Sequence, residues 1–592
     1  MLALQSQQLV RRLARRLPVV FLLCAAACVH AAPIRFHTER AGFVSLNVYR
    51  PDGALEQRLL EGAPFAAGDH EAQWPGGPAL PRGWSCRAIF REALALRVIG
   101  RIGDFGGDRG PSTAAAADDA RVYLGWALAT ANADAVVACS PSGAIQWTHR
   151  RGALSGCRAL AADAGMVYVL GGEGAAGAEG RGIYRLDAVT GAMIPWPDGR
   201  TDLKIVSLWP PKGDYKPDLA SNMAVKNGRI YLSFSQGQFI AVLDARSGHY
   251  LQTIVGAAPG AIDAVPTRAD APDKPGALLD ADFVVAALKS GAIGKMLLAH
   301  DPIWLLASEL TPMEEGRRIN AVAMIGDGAP HHARDIFVGL NRPWDQVEAR
   351  PALATDTFDY VAGQPGGPVE QGVWQPERMG DIRGIALDPA GQLWVAEGDA
   401  IPSRISVWST DGPAGRLLRE FFAPPDAASP VALDPLDPAV VIAGGCEWRI
   451  DPATGRAECT GVVTQQIFTR ARFAMEEDHL LLVLTPATGP DVVLERAGAG
   501  DYRPRSAAPP PAVPEAFQLL RGPSGEWRIV TADGFDLGAL PDAAGELGSS
   551  GSPVIARLAD GRVFIAARKT RVAVMELTGI ASAQPLPVTA GP

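Results

Sequence analysis

Hydrophobic and polar positions along this chain alternate in short runs rather than at helical spacing. Phe43-Val44-Ser45-Leu46-Asn47-Val48-Tyr49 has period two and predicts a half-buried strand, closed by the turn Pro51-Asp52-Gly53 and followed by a second strand over 55–60. Beyond residue 95 a unit recurs: a strand with an aromatic centre, a gap, a second strand, then a turn of the type Asp-x-x-x-Gly. Arg121 to Trp126 leads to Ala135 to Cys139 and Pro141-Ser142-Gly143. Met166 to Leu170 leads to Gly182 to Asp187 and Thr190-Gly191, and Arg229 to Ser233 leads to Phe239 to Asp244 and Ser247-Gly248. Ile382 to Asp388 precedes Leu393 to Ala396, Arg404 to Trp408 and Asp411-Gly412.

Equivalent units return every ~40 to 60 residues, the spacing of propeller blades. A four-stranded sheet cannot bury both faces alone, and stacking such sheets around an axis solves this. Weaker copies fall near 260–305, 318–363, 430–470 and 472–500, which predicts a seven- or eight-bladed β-propeller over 96–580. Arg562 to Ala567 is expected to close the ring, and 581–592, without periodicity, to be a disordered tail. The fold class is all-β: a small Ig-like β-sandwich (35–95), with a separate core of its own, followed by the propeller.

Two resemblances sharpen this. The order strand, Asp52-Gly53 turn, strand, Ala67-Gly68-Asp69-His70, Trp74, then Pro81-Arg82-Gly83-Trp84 resembles the Ig-like module of the flagellar hook-capping protein, although Pro75 replaces the usual aspartate. It implies a fold and no catalytic residue. The unit at 382–412 resembles an NHL-type repeat, and the three early units resemble quinoprotein-type repeats. The latter raise pyrroloquinoline quinone, which such dehydrogenases hold beside an adjacent cysteine pair. No adjacent pair is present beyond residue 31, so no cofactor is expected.

The first residues carry an address. Arg11-Arg12 and Arg15-Arg16 precede the apolar run Val19 to Ala27, and Val29-His30-Ala31 reads as a cleavage site, so 1–31 is expected to be a secretory signal peptide. The mature chain is then periplasmic or extracellular; a lipoprotein anchored at Cys28 is the competing reading. The apolar stretch from Phe283 to Leu298 is broken by Lys289 and Lys295, so no transmembrane anchor is expected in the mature chain. A net charge of −9 argues against a nucleic-acid partner. Of seven cysteines, Cys24 and Cys28 leave with the signal. Cys446 and Cys459 flank the turn Asp451 to Gly455, so they are either a local disulfide or two buried small residues.

Compact catalytic motifs are missing: no H-E-x-x-H, G-x-S-x-G or P-loop pattern occurs. Gly172 to Gly177 fits G-x-G-x-x-G, but Ala178 to Gly182 cannot open a helix there. Two loops combine residue types favoured in binding: Asp108 with Arg109, and Arg342 with Trp344. These are the candidate ligand contacts, with a structural turn as the competing reading of each. The expected function is a non-catalytic binding scaffold of the cell envelope, with an envelope protein or glycan on one propeller face. The alternative is an enzyme in the propeller channel: a metal-dependent lactonase-like hydrolase, a lyase or a quinoprotein.

Overall fold

The computed structural model describes residues 32–590 except 106–110, 128–133, 151–153, 155, 172–181, 206–219, 221, 235–238, 256–261, 266–281, 288–292, 299–303, 311–318, 325–334, 341–342, 352–359, 399–400, 426–428, 507, 512–514, 543–544, 548–552 and 570. Its elements are β-strands in antiparallel meanders, and among the described residues no helix is long and apolar enough to cross a membrane.

Six sheets, five of four strands and one of five, form a closed ring. Blade 1 comprises Ser112–Ala117, Val122–Trp126, Asp134–Cys139 and Ile145–Arg150. The first strands of blades 2 to 6 are Cys157–Asp163, Asn222–Lys226, Ile262–Val265, Ile319–Met324 and Ile382–Leu387. Each touches the first strand of the next blade, and that of blade 6 touches that of blade 1. The burial of blade 1 shows why these sequences form blades. Its second and third strands, Val-Tyr-Leu-Gly-Trp and Asp-Ala-Val-Val-Ala-Cys, are buried throughout because neighbouring sheets cover both faces. Its first strand, Ser-Thr-Ala-Ala-Ala-Ala, is buried at alternate positions because its inner side borders the axis.

The Asp-x-x-x-Gly turns lock one blade to the next. Asp187 Oδ1 accepts from the Val189 and Thr190 amides at 3.0 and 2.7 Å. Gly191 then takes φ of +70°, where a Cβ would sit 2.5 Å from the Trp147 ring of blade 1. Trp147 Nε1 donates to Ala188 O at 3.0 Å, and Tyr123 OH to the same oxygen at 3.4 Å. One blade on, Tyr168 OH donates to Ala245 O at 3.4 Å and Trp196 lies against Gly248.

Four further sheets form a second group, beginning at Val431–Leu433, Phe468–Glu476, Phe517–Arg521 and Val554–Arg557. The strand Val431–Leu433 touches those at Phe468–Glu476 and Val554–Arg557, and Phe517–Arg521 touches Val554–Arg557. One ring of seven or eight blades was the expectation; the structure divides its sheets between the closed six and this second group. Sheets of both groups read alike locally, and contacts between distant first strands decide which share an axis. Nor do residues 562–567 close the ring, since blade 6 meets blade 1 directly; Val563–Arg568 belongs to the second group, where Val572–Thr578 pairs with Ala95–Ile102.

The N-terminal module is a sandwich of two sheets. One orders Gly68–Trp74, Ala32–Thr38 and Val588–Ala590; the other orders Leu55–Phe65, Gly42–Tyr49, Ser85–Arg91 and Gln584–Leu586. Ile34, Leu46, Trp74 and Phe90 fill the space between. The expectation of a disordered tail is therefore corrected: Gln584 pairs with Phe90 and Val588 with Phe36. An open sheet edge offers backbone donors and acceptors to any strand that reaches it. The tail is too short to show a period, and it is ordered by that edge. Nor does the module stand apart. Ser45 Oγ donates to Asp536 O at 2.5 Å, Tyr49 OH to Asp533 O at 2.9 Å and Arg91 Nε to Leu537 O at 2.6 Å. Burial pulls the Arg91 guanidinium down to about 10.

Cys446 and Cys459 are buried thiols on paired strands, and no disulfide joins them. Cys446 lies opposite Val462 and, past a bulge between Glu447 and Trp448, Cys459 lies opposite Trp448, so the two are not cross-strand partners. The hairpin places them diagonally in one core with Trp448 and Phe564.

Candidate functional site

The axis of the six-sheet ring encloses about 280 Å³, lined by the first strands of blades 1, 2, 3, 5 and 6. Its wall is largely alanine: Ala114 to Ala117, Ala159, Ala161, Ala162, Ala224, Ala321, Ala323 and Ala386. Small side chains let the innermost strands approach closely. At Gly384 the approach is tight, since a Cβ there would lie 2.6 Å from the Ala115 amide nitrogen and 2.8 Å from Ala114 Cα. The polar side chains on this wall are Thr113, Asn222, Lys226 and Arg383.

One mouth is built by a repeated irregularity. In blades 1, 2, 5 and 6 the first strand bulges at its second residue, so Thr113, Arg158, Asn320 and Arg383 are each the extra residue opposite a regular partner strand. A bulge leaves that residue outside the ladder and re-aims its side chain. Arg158 and Arg383 are exposed, and Thr113 and Asn320 half-buried. Thr113 Oγ1 donates to Cys157 O at 2.6 Å, which ties blade 1 to the residue beside Arg158. Arg383 donates to Asp381 Oδ2 through Nε at 2.6 Å and Nη2 at 2.5 Å.

Behind Arg383 the backbone is held by a buried ion cluster. Glu397 Oε1 accepts from Arg404 Nε at 2.8 Å and from Ser406 Oγ at 2.6 Å, while Oε2 accepts from the Gly380 amide at 2.8 Å. Arg404 also bonds Glu420, Pro376 O (2.8 Å) and Arg378 O (2.5 Å), and lies over the Trp374 ring at 5.0 Å. Burial raises the Glu397 and Glu420 carboxyls, an effect that Arg404 opposes. Burial also works to lower Arg404, but the two carboxylates outweigh it and hold the guanidinium charged. The cluster fixes 376–380, the segment that delivers Arg383 to the mouth. Ser112 Oγ donates to Glu397 O at 2.5 Å and couples the same cluster to blade 1.

Of the residues singled out from sequence, Asp108, Arg109 and Arg342 lie outside the described residues. Trp344 is half-buried in the turn before Val347–Pro351 of blade 5. Its neighbour Asp345 accepts from the Asp381 amide at 3.1 Å, which places that turn beside the Arg383 approach. The mouth residues Thr113, Arg158, Asn222, Asn320 and Arg383 were not singled out. A signal for most of them exists: a polar residue directly before a small one at the start of the first strand, as in Thr113-Ala114, Arg158-Ala159, Asn320-Ala321 and Arg383-Gly384. Among the described residues no group of three His, Cys, Asp or Glu could hold a metal ion.

No protein-family model and no curated protein matches the chain. A structural-genomics protein of unknown function from Bacteroides thetaiotaomicron is similar at TM-score 0.32 and 12% identity, covering 60% of this chain and 88% of that one. The Dos1 propeller aligns at TM-score 0.29 and 12% identity over 69% of this chain and 97% of its own. A chain of the Mitotic Checkpoint Complex aligns at 0.30 and 11% over 71% and 95%. Likenesses this distant say nothing about ligand or activity.

Proposed function

We propose that this chain is an exported, non-catalytic binding scaffold of the cell envelope, and that it takes a protein ligand at the bulged mouth of the six-sheet ring. The observation that carries the reading is the mouth itself. Four first strands break their ladders at the same position, each at a polar or cationic residue, and two of these residues, Thr113 and Arg383, line the alanine-rich channel. Independent bulges at one level of a ring are costly to the ladder, and such features mark sites where side chains are re-aimed. The charged and apolar pattern of residues 1–31 supports export.

Site-specific photo-crosslinking tests the face. A crosslinker at Asn222, on the channel wall, is compared with one at Ile145, exposed on the outer strand of blade 1. In intact cells a discrete protein adduct is expected from position 222 and none from 145. Adducts from 145 alone would remove the mouth as the ligand face.

A further inference from the structure

We infer that the mouth receives the C-terminal residue of a partner polypeptide, its carboxylate held between Arg383 and Arg158 and its side chain lowered into the alanine-lined channel. This rests on the reading of the mouth as the ligand face and adds the chemistry of what enters it.

The two arginines occupy equivalent bulge positions on the strands that flank Thr113. On one side, Thr113 Oγ1 bonds Cys157 O, the carbonyl preceding Arg158. On the other, Gly384, which follows Arg383, packs directly on Ala114. The order Arg383, Thr113, Arg158 is thus an arc across three adjacent blades. Asp381 engages Arg383 through Nε and Nη2 and so orients the guanidinium. A guanidinium has five N–H donors in a planar fork that suits a carboxylate. Thr113, its hydroxyl hydrogen committed to Cys157 O, fixes the strands at the centre of the arc.

The channel beneath selects what the carboxylate is attached to. Its 280 Å³ is just below the ~300–1,000 Å³ of common ligand pockets. That leaves room for one or two aliphatic side chains but not for a folded segment. Ala115, Ala117 and Ala162 are half-buried on its wall. An acidic side chain carries its carboxylate at its tip, with nothing apolar beyond to fill this space. A C-terminal residue carries carboxylate and side chain on one carbon, so both can be satisfied at once. Lys226 lies at the other end of its first strand and adds positive potential along the channel. Capture of a terminal carboxylate is a recurrent mode of peptide recognition.

The test uses the full chain and a peptide library randomised at its last four positions, prepared both as free acids and as C-terminal amides. Free-acid peptides ending in a small aliphatic residue should be enriched. The amide of each enriched sequence should bind at least about tenfold more weakly, the loss expected when a charge-assisted contact is removed. Arg158→Gln and Arg383→Gln should each weaken the acid form by a similar factor and leave the amide form unchanged. Ala115→Leu should weaken it without altering the circular dichroism spectrum. Equal binding of acid and amide, binding indifferent to both arginine substitutions, or no enrichment overturns the terminal-carboxylate inference. Crosslinking from position 222 is read separately. An adduct there alongside negative peptide data sinks the carboxylate and keeps the face, whereas loss of both sinks both.

Discussion

At the scale of residues, buried charge is the feature that sequence hides most completely. Glu447, fully buried in Cys446–Ile450, accepts from Arg496 Nε at 2.7 Å, Tyr502 OH at 2.5 Å, Thr460 Oγ1 at 2.7 Å and the Gly500 amide at 2.8 Å. Burial alone would raise its carboxyl, but these donors outweigh burial and hold it below the ordinary glutamate value. A depressed folded pKa contributes stability above the ordinary value of about 4.3, and that stability is lost as pH falls through the folded value. Glu447→Gln is therefore expected to cost about 3–5 kcal/mol at pH 7, because it leaves Arg496 only the longer, 3.5 Å contact with Asp434 as a buried ion pair. Denaturant unfolding at pH 7 and at acid pH checks this. The difference between wild type and variant should shrink below about pH 4, and an undiminished gap there would contradict the assignment. Nothing in the local sequence joins Glu447 to Arg496 and Tyr502, since only the docking of adjacent sheets does so. The mouth residues were missed for a related reason. A bulge is a property of two paired strands, and one strand's pattern does not contain it.

At the scale of elements, the Asp-x-x-x-Gly turns were legible because their chemistry is local. An aspartate caps the following amides and a glycine accepts positive φ. Their partner was not legible in the same way. Trp147 belongs to the preceding blade, and only assembly shows that it seats the turn of blade 2 through Ala188 O. Trp147→Ala should therefore destabilise by about 3–5 kcal/mol, the cost of emptying a buried tryptophan site. Trp147→Phe should lose mainly the indole hydrogen bond, about 1 kcal/mol. Thermal unfolding of the two variants checks the order. Equal losses would mean that the ring volume is irrelevant and the bond alone matters.

At the scale of the whole molecule, the two ends of the chain build one module. Ala32–Thr38 is flanked by Val588–Ala590, and Ser85–Arg91 by Gln584–Leu586. Deleting 581–592 should uncover an edge on each sheet of the sandwich. Faster amide exchange across 32–91 and concentration-dependent association are the expected outcomes, because bare edges pair with other chains. Hydrogen exchange and size-exclusion chromatography would show them. Unchanged exchange in both edge strands would mean that the tail is dispensable. The sandwich also docks through Ser45, Tyr49 and Arg91 onto main-chain oxygens of 533–537, so removing 32–94 exposes Arg91's partners as well.

The sequence alone determined the all-β class, the strand pairs and their turns, because period-two alternation and glycine turns are written within a few consecutive residues. It also marked the sandwich strands by their alternation, but Gly42–Tyr49, expected half-buried, is buried on both faces because Ser45 and Tyr49 dock onto 533–536. Tertiary structure decided the rest. Contacts between first strands separated by long stretches of chain divided the sheets into a closed ring and a second group. An open edge ordered a tail that has no pattern of its own. Paired strands, not single ones, raised Thr113, Arg158, Asn320 and Arg383 from their ladders at one mouth. Local pattern records how a segment meets its immediate neighbours in sequence. The site depends on which distant segments share an axis, and that is settled by packing.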